Sequence, residues 1–236
     1  NSDDMDSSER RNYPADCYSF LSLHGPRDKP VFFFFGLTVF LFQAILILCL
    51  VLYVTNKKLG GIQLAENPGV TSGPFTVLAR FIPPNVSFLA RTTQVTALVS
   101  YFVFADASLQ DIVIAVETFP RFRHVALDQD KVGCMVFSSF LRFAQGTIAT
   151  LAVLLLVVQT SDVVEIILNF AAVNFVSELD NCAFELAKCG RYGPTIEKEA
   201  MAIENTQLPK CIYQKYKHVR YRATVICVAT VVLTMM

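Results

Sequence analysis

The sequence has no tryptophan, few charges and none of the short motifs that mark common enzyme or nucleotide sites. Only 17% of its 236 residues are Asp, Glu, Lys or Arg, against about 25% in a typical soluble domain. The formal net charge is zero, which argues against the clustered basic surface that nucleic-acid binding needs. HExxH, GxSxG, the Walker loop and GxGxxG are absent from the sequence. We therefore expect no enzymatic activity, no cofactor, no metal site and no nucleic-acid partner.

The seven cysteines do not form a recognisable framework either. There is no CxxC, and no cysteine is paired with a histidine at metal-ligand spacing. Cys182 and Cys189 are seven residues apart, so on one helix they share a face about 10 Å apart. That separation is too large for a disulfide within the helix. Small apolar filling residues are the simpler interpretation of the cysteines.

What the sequence does contain is long apolar runs. The hydrophobic fraction is 53% and the mean hydropathy is +0.46. Val31 to Val54, "VFFFFGLTVFLFQAILILCLVLYV", has no charge, and the uncharged run ends only at Lys57 and Lys58. A secretory apolar region is shorter, about 7–15 residues, and is not preceded by thirty polar residues. This run therefore predicts a transmembrane helix.

Further apolar runs predict an all-α, multi-pass transmembrane helical bundle of four to five spans. A second run is uncharged for only 14 residues, so it is either a span or a shorter re-entrant helix. The final run stops after 14 residues, and the chain begins without Met, so we expect a fragment of a longer protein. The predicted spans are 31–54, 92–117, 137–158, 162–187 and 222–236.

The segment 162–187 carries helix start and stop signals. Asp162 followed by Glu165 resembles a capping box, and Lys188, Gly190 and Pro194 form a stop signal. Its polar positions change sides along the helix, whereas a helix lying in the interface keeps one polar face. This favours a short span, with an interfacial helix as the alternative.

The distribution of basic residues predicts the orientation. The segments before Val31, between 118 and 142 and between 188 and 222 hold sixteen of the twenty Lys and Arg residues. By the positive-inside rule these segments are cytoplasmic. The polar segment 1–30 and the basic segment 188–221 are then cytoplasmic, and the loop 55–91 is not. That loop includes Asn85 in an N-x-S sequon, a candidate glycosylation site.

Acidic and amide side chains at membrane depth are the candidate functional residues. Charges there are costly unless they face a bundle interior, water or a partner, and they often mark ion or proton pathways. We expect an ion pathway lined by Asp106, Asp111 and Glu178. The alternative is that the acidic groups lie at interfacial depth, cap helices, or pair with Arg142 or Lys188. Candidate polar contacts between helices are Gln43, Asn169 and Asn174, with the fourth helix as the expected partner of Gln43.

Three phrases resemble uncharacterised multi-pass membrane proteins of diatoms and other stramenopile algae. They are "SLHGPRDKPVFFFFGLTVFLFQ", "YFVFADASLQDIVIAVETFP" and "NFAAVNFVSELDNCAFELAKCGRYG". The resemblance covers roughly Ser22 to Gly193. It implies a eukaryotic algal origin and a membrane location, and it carries over no catalytic or binding residue.

Two functions fit these features. The first is a channel- or transporter-type bundle with acidic residues in its second span. The second is an accessory or scaffolding subunit of a larger membrane complex, with 162–187 as its docking element. A receptor that senses through the loop 55–91 rests on little more than the sequon. The expected partners are the lipid bilayer and either a second copy of the chain or another membrane protein.

Overall fold

The computed structural model describes residues 12–63, 86–103, 107–118 and 129–206. Every regular element in these ranges is an α-helix, so the predicted all-α class is confirmed for this part of the chain. The helices are α1 (Cys17–Leu23), α2 (Pro30–Gln63), α3 (Phe88–Val103), α4 (Ala107–Thr118), α5 (Gln129–Gln159), α6 (Val163–Ser177), α7 (Leu179–Lys188) and α8 (Pro194–Glu204). The predicted span 222–236, Asn85 and Asp106 lie outside the described residues.

Three helical stretches are long and apolar enough to cross a membrane. They are Pro30–Asn56, Phe88–Val116 and Val132–Gln159, of 27, 29 and 28 residues. At 1.5 Å per residue the first and third exceed the roughly 30 Å hydrocarbon core. The second comprises α3 and α4, with residues 104–106 between them outside the described residues. The first three predicted spans coincide with them to within about five residues at each end. α6 is also apolar, but its 15 residues reach only about 22 Å.

The segment 162–187, predicted as one helix, is divided into α6 and α7 at Glu178. Asp162 caps α6 by accepting a hydrogen bond from the backbone N–H of Val164 at 2.8 Å. At the other end Ser177 donates its hydroxyl to the carbonyl of Val173 at 3.0 Å, a contact that often bends helices. Whether this segment crosses a membrane stays a prediction.

The predicted stop signal is confirmed. Lys188 is the last residue of α7, and Gly190 follows it with φ of 75°, a left-handed conformation that glycine adopts without strain. Pro194 is then the first residue of α8, a position where its missing N–H costs nothing. A five-residue turn, 189–193, thus separates α7 from α8.

Residues 12–30, predicted only as part of a polar segment, hold the short buried helix α1. It lies against α2, α5 and α7. Its first five residues are buried, and the ring of Phe20 stacks on Phe32 with centroids 6.0 Å apart. The sequence did not predict this helix, because its seven residues are too few to show a clear helical period of apolar residues.

Two glycines allow helices to approach closely. A Cβ atom at Gly36 of α2 would lie 2.7 Å from the carbonyl oxygen of Cys17 in α1. A Cβ atom at Gly146 of α5 would lie 2.7 Å from a side-chain carbon of Ile112 in α4. Real Cβ atoms essentially never come that close, so a larger residue at either position forces the helices apart.

Among the described residues the interior contains three apolar clusters, and the two larger ones have polar residues between them along each helix. On α2 the order is Phe32 in one cluster, then Gln43, then Ile47 in the other. α5 repeats the order with Met135, Arg142 and Ala149, and the α6–α7 pair with Val173, Asp180 and Phe184. Because the helices lie side by side, their polar residues meet in one layer inside the bundle.

We expect Gly36→Ala and Gly146→Ala to lower the free energy of unfolding by about 1–3 kcal/mol through overpacking. Gly133 on α5 is the matched control, because nothing lies within 4 Å of a Cβ there. Gly133→Ala is expected to be neutral or slightly stabilising through helix propensity. Thermal unfolding in detergent, followed by circular dichroism at 222 nm, measures all three. Equal melting midpoints for the three variants would contradict the close packing of α1 on α2.

Candidate functional site: a buried carboxylate cluster

Three aspartates from distant parts of the sequence meet in the polar layer. Asp16 precedes α1, Asp111 lies on α4 and Asp180 on α7, and one carboxylate oxygen from each lies within 4.8 Å of the others. Their residues are 3%, 7% and 1% exposed. We call these three residues with Arg142 and Gln43 the carboxylate cluster. Buried carboxylates are costly unless they are paired or protonated, so their neighbours determine what the cluster can do.

Arg142 on α5 supplies a positive charge to this cluster. Its Nη2 atom lies 2.6 Å from both carboxylate oxygens of Asp16. Its Nε atom lies 3.8 Å from Oδ1 of Asp111, within ion-pair range but too far for a hydrogen bond. The guanidinium also lies over the Tyr18 ring, 5.3 Å from its centroid. Arg142 is therefore bound tightly to one aspartate and loosely to another.

Gln43 joins α2 to the end of the α6–α7 segment. Its Nε2 atom donates to Oδ1 of Asp180 at 2.9 Å and lies 3.1 Å from the carbonyl oxygen of Val176. Its Oε1 atom accepts a hydrogen bond from the Tyr18 hydroxyl at 3.2 Å. The amide of Gln43 thus bonds to segment 162–187, as expected, but it does so beside the break at Glu178.

Asn169 and Asn174 are not partners of Gln43. Asn169 donates instead to the hydroxyl of Thr160 at 3.2 Å. The Oδ1 atom of Asn174 is buried and has no hydrogen-bond partner among the described residues. The helix break at Glu178 explains the difference, because it leaves free carbonyls near Val176 for the Gln43 amide.

The short helix α1 completes the surroundings. Asp16 is also the N-cap of α1, accepting a hydrogen bond from the backbone N–H of Ser19 at 3.0 Å. Burial raises the pKa of Asp16, and the charge of Arg142 opposes that rise. Burial likewise raises the pKa of the Cys17 thiol, so it remains protonated and donates to the carbonyl of Asp180 at 3.2 Å. α1 and its N-cap therefore contact the polar layer from one side, through bonds to residues of α2, α5 and α7.

The charges of the cluster do not balance if all its groups are ionised. Three carboxylates then face one guanidinium, and the ion pairs of Asp16 and Asp111 within the described residues are both with Arg142. An uncompensated buried carboxylate tends to take up a proton rather than stay charged. The arrangement therefore favours at least one bound proton shared among the aspartates.

The residues predicted from the sequence divide into three groups. Asp111 lies in the cluster within ion-pair range of Arg142, the partner that the alternative interpretation named, and its place in an ion pathway stays a prediction. Glu178 does not join it: the side chain is exposed and accepts a hydrogen bond from Asn181 at 2.9 Å. Glu178 thus lies outside the carboxylate cluster, and its expected place in an ion pathway with Asp111 stays a prediction. Asp106 and Asn85 lie outside the described residues.

Sequence reasoning did not select Asp16 and Asp180 as site residues. For Asp180 a signal was present, because Asp180, Phe184 and Ala187 recur at helical spacing and are all buried. That stripe predicts that Asp180 points inward and Glu178 outward. For Asp16 there was no such signal, since its burial depends on where α1 lies against α2 and α5.

Comparisons with known proteins found no matching family model, no matching curated protein and no matching solved structure. The resemblance to stramenopile algal proteins therefore stays a prediction.

We expect Arg142→Gln to lower the free energy of unfolding by about 3–5 kcal/mol, because it leaves buried carboxylates without their cation. Asp16→Asn is expected to cost less. The double variant should be more stable than the sum of the two single changes predicts, since neither member of this pair is then left without the other. Thermal unfolding in detergent measures this double-mutant cycle.

Lys188→Gln serves as the control for general loss of an ion pair. Lys188 lies 2.9 Å from Glu204, near the surface, where ion pairs contribute little. Its melting midpoint should match that of the unmodified protein within error. Strictly additive effects of Asp16→Asn and Arg142→Gln would contradict the pairing described above.

Proposed function

We propose that this chain is a multi-pass membrane protein of the transporter type that moves protons across the bilayer, with its N-terminus on the cytoplasmic side. The observation that carries the proposal is the presence of three buried aspartates beside one arginine. Such groups at membrane depth are expensive and are commonly associated with ion and proton pathways. The apolar helices α2, α3–α4 and α5 support the membrane location.

The outer surface of α2 supports the same location. Phe42, Ile45 and Leu48 are each more than half exposed. A contiguous apolar surface of this kind is rare on soluble monomers, and lipid is the solvent that accepts it. Gln43, by contrast, is fully buried.

The unequal contacts of Arg142 suggest how a proton is exchanged. When Asp111 carries a proton, Arg142 stays paired with Asp16, as in the arrangement described above. When Asp111 releases that proton, its carboxylate attracts the guanidinium, which is already 3.8 Å away. Arg142 then moves from Asp16, whose carboxyl group takes up a proton in its turn. One guanidinium shared by two carboxylates thereby couples proton binding to a side-chain movement.

Proton flux into liposomes tests this proposal. The full chain is reconstituted with a pH-sensitive dye inside the vesicles, and a potassium diffusion potential drives proton entry. We expect Asp111→Asn to slow acidification at least tenfold, because an amide neither binds nor releases the proton. Circular dichroism and size-exclusion chromatography establish that the variant is folded.

Glu178→Gln is the matched control for that experiment. It removes one carboxylate two residues from Asp180, but from an exposed side chain outside the cluster. Its flux should remain within twofold of the unmodified protein. Flux no greater than in empty liposomes, or an Asp111→Asn variant as fast as the unmodified protein, would overturn the proposal.

The second candidate is an accessory or scaffolding subunit in which the cluster only fastens helices together. The burial of the cluster favours this function, because its five residues are each less than 10% exposed and water does not reach them in this structure. Exposed apolar side chains on α6, such as Leu168 and Phe175, offer a surface for a membrane partner. A stoichiometric partner that is lost on altering Asn174 and Glu178, together with flux unaffected by Asp111→Asn, would favour this function.

A further inference from the structure

α1 forms one side of the carboxylate cluster and contacts three different helices there. Asp16 binds Arg142 on α5 at 2.6 Å. The Tyr18 hydroxyl donates to Gln43 on α2, and the Cys17 thiol donates to the carbonyl of Asp180 on α7. The position of this one short helix therefore decides whether three separate polar contacts are made.

The other sides of the cluster are parts of longer helices. α2 and α5 are 34 and 31 residues long and pack on further apolar residues beyond the cluster. Moving either of them would disrupt both of the larger apolar clusters at once. α1 has seven residues and contributes to the cluster around Phe184 and to a small one around Leu141, but not to the cluster around Ile47 and Leu156. Its movement therefore leaves that last cluster packed.

The attachments of α1 differ at its two ends. At its C-terminal end, the turn 24–29 is held to α8, because His24 and Lys29 lie 2.7 Å and 3.0 Å from the carboxylate of Glu199. The helix itself is held to α5 by the ion pair of Asp16 with Arg142 at its N-terminal end and by hydroxyl contacts, including Ser22 to Ser138 at 2.8 Å. Water can replace a hydroxyl partner at little cost. The turn is thus suited to act as a hinge and α1 as the moving part.

Burial of apolar side chains keeps α1 in place most of the time. Phe20 and Leu21 are fully buried, and Phe20 also packs on Phe184 with ring centroids 5.6 Å apart. Displacing α1 exposes both side chains, so the displaced state is a minor one. A minor state of this kind is sufficient for gating, because a transporter needs access to its site only transiently.

We propose that α1 is the gate of the carboxylate cluster, closing it on the side of the N-terminus and opening it by pivoting about residues 24–29. Opening separates Asp16 from Arg142, and it exposes the side chains of Gln43 and Asp180 to water on the N-terminal side. Arg142 is then free to pair with Asp111. This inference rests on the proposed function, since it describes how protons reach the same site.

A reversible cross-link tests the gate. The hydroxyl oxygens of Ser22 and Ser138 lie 2.8 Å apart, so cysteine sulfurs at these positions are within bonding reach. The double variant Ser22→Cys, Ser138→Cys is made in a Cys134→Ser background, which removes a neighbouring thiol. Oxidation should reduce proton flux at least tenfold, and a reductant should restore it. Each single variant in the same background, treated identically, should keep its flux.

Labelling of Cys17 gives a readout that does not depend on flux. Cys17 is 1% exposed, so a water-soluble maleimide reaches it only when α1 moves. Its modification, quantified by peptide mass spectrometry, should be at least tenfold slower in the oxidised double variant than in the reduced one. Equal labelling rates, with the cross-link verified by mass, would overturn the gate.

The two readouts separate the gate from the proposed function. If the unmodified protein conducts no protons but the cross-link still slows Cys17 labelling, the proposed function fails and the movement of α1 stands. If the protein conducts protons and flux persists through a verified cross-link, the gate fails and the proposed function stands.

Discussion

The interior of this protein depends on the pairing of Asp16 with Arg142. A guanidinium in the middle of an apolar bundle is tolerated only if a carboxylate compensates it closely, and here that carboxylate comes from outside the long helices. The pair therefore holds α1 against α5, and the position of α1 in turn brings Tyr18 to Gln43. Asp111 and Asp180 then lie near the same guanidinium. The proposed proton transfer depends on this excess of carboxylates over positive charges.

The two larger apolar clusters lie on opposite sides of the polar layer, and each depends on the other for its position. Side chains such as Ile47 and Leu156 have no polar partners to satisfy and pack on one side of the layer, while Phe20 and Phe184 pack on the other. Between them the break at Glu178 frees backbone carbonyls, which the Gln43 amide then satisfies. An unbroken helix at this point would leave that buried amide with fewer acceptors.

Local signals predicted the parts of the fold that depend on local physics. Long apolar runs predicted α2 and α5, and a shorter run of 14 uncharged residues predicted a helix where α3 and α4 lie. The capping residue Asp162 marked the start of α6 correctly. The division of 162–187 was missed, because it depends on contacts of Ser177 and Gln43 that no run of neighbouring residues reveals. Of the cluster, Asp111 was selected and Asp180 was passed over in favour of Glu178, although the buried stripe of α7 distinguishes the two.

By itself, the sequence determined the helical class and the apolar helices, since these follow from composition and from periods of a few residues. The tertiary structure alone decided that Asp16 and Asp180 meet Asp111 at Arg142. The residues that form the site are separated by tens of residues along the chain. The free energy of bringing such charges together depends on their final distances and burial, which exist only in the folded protein.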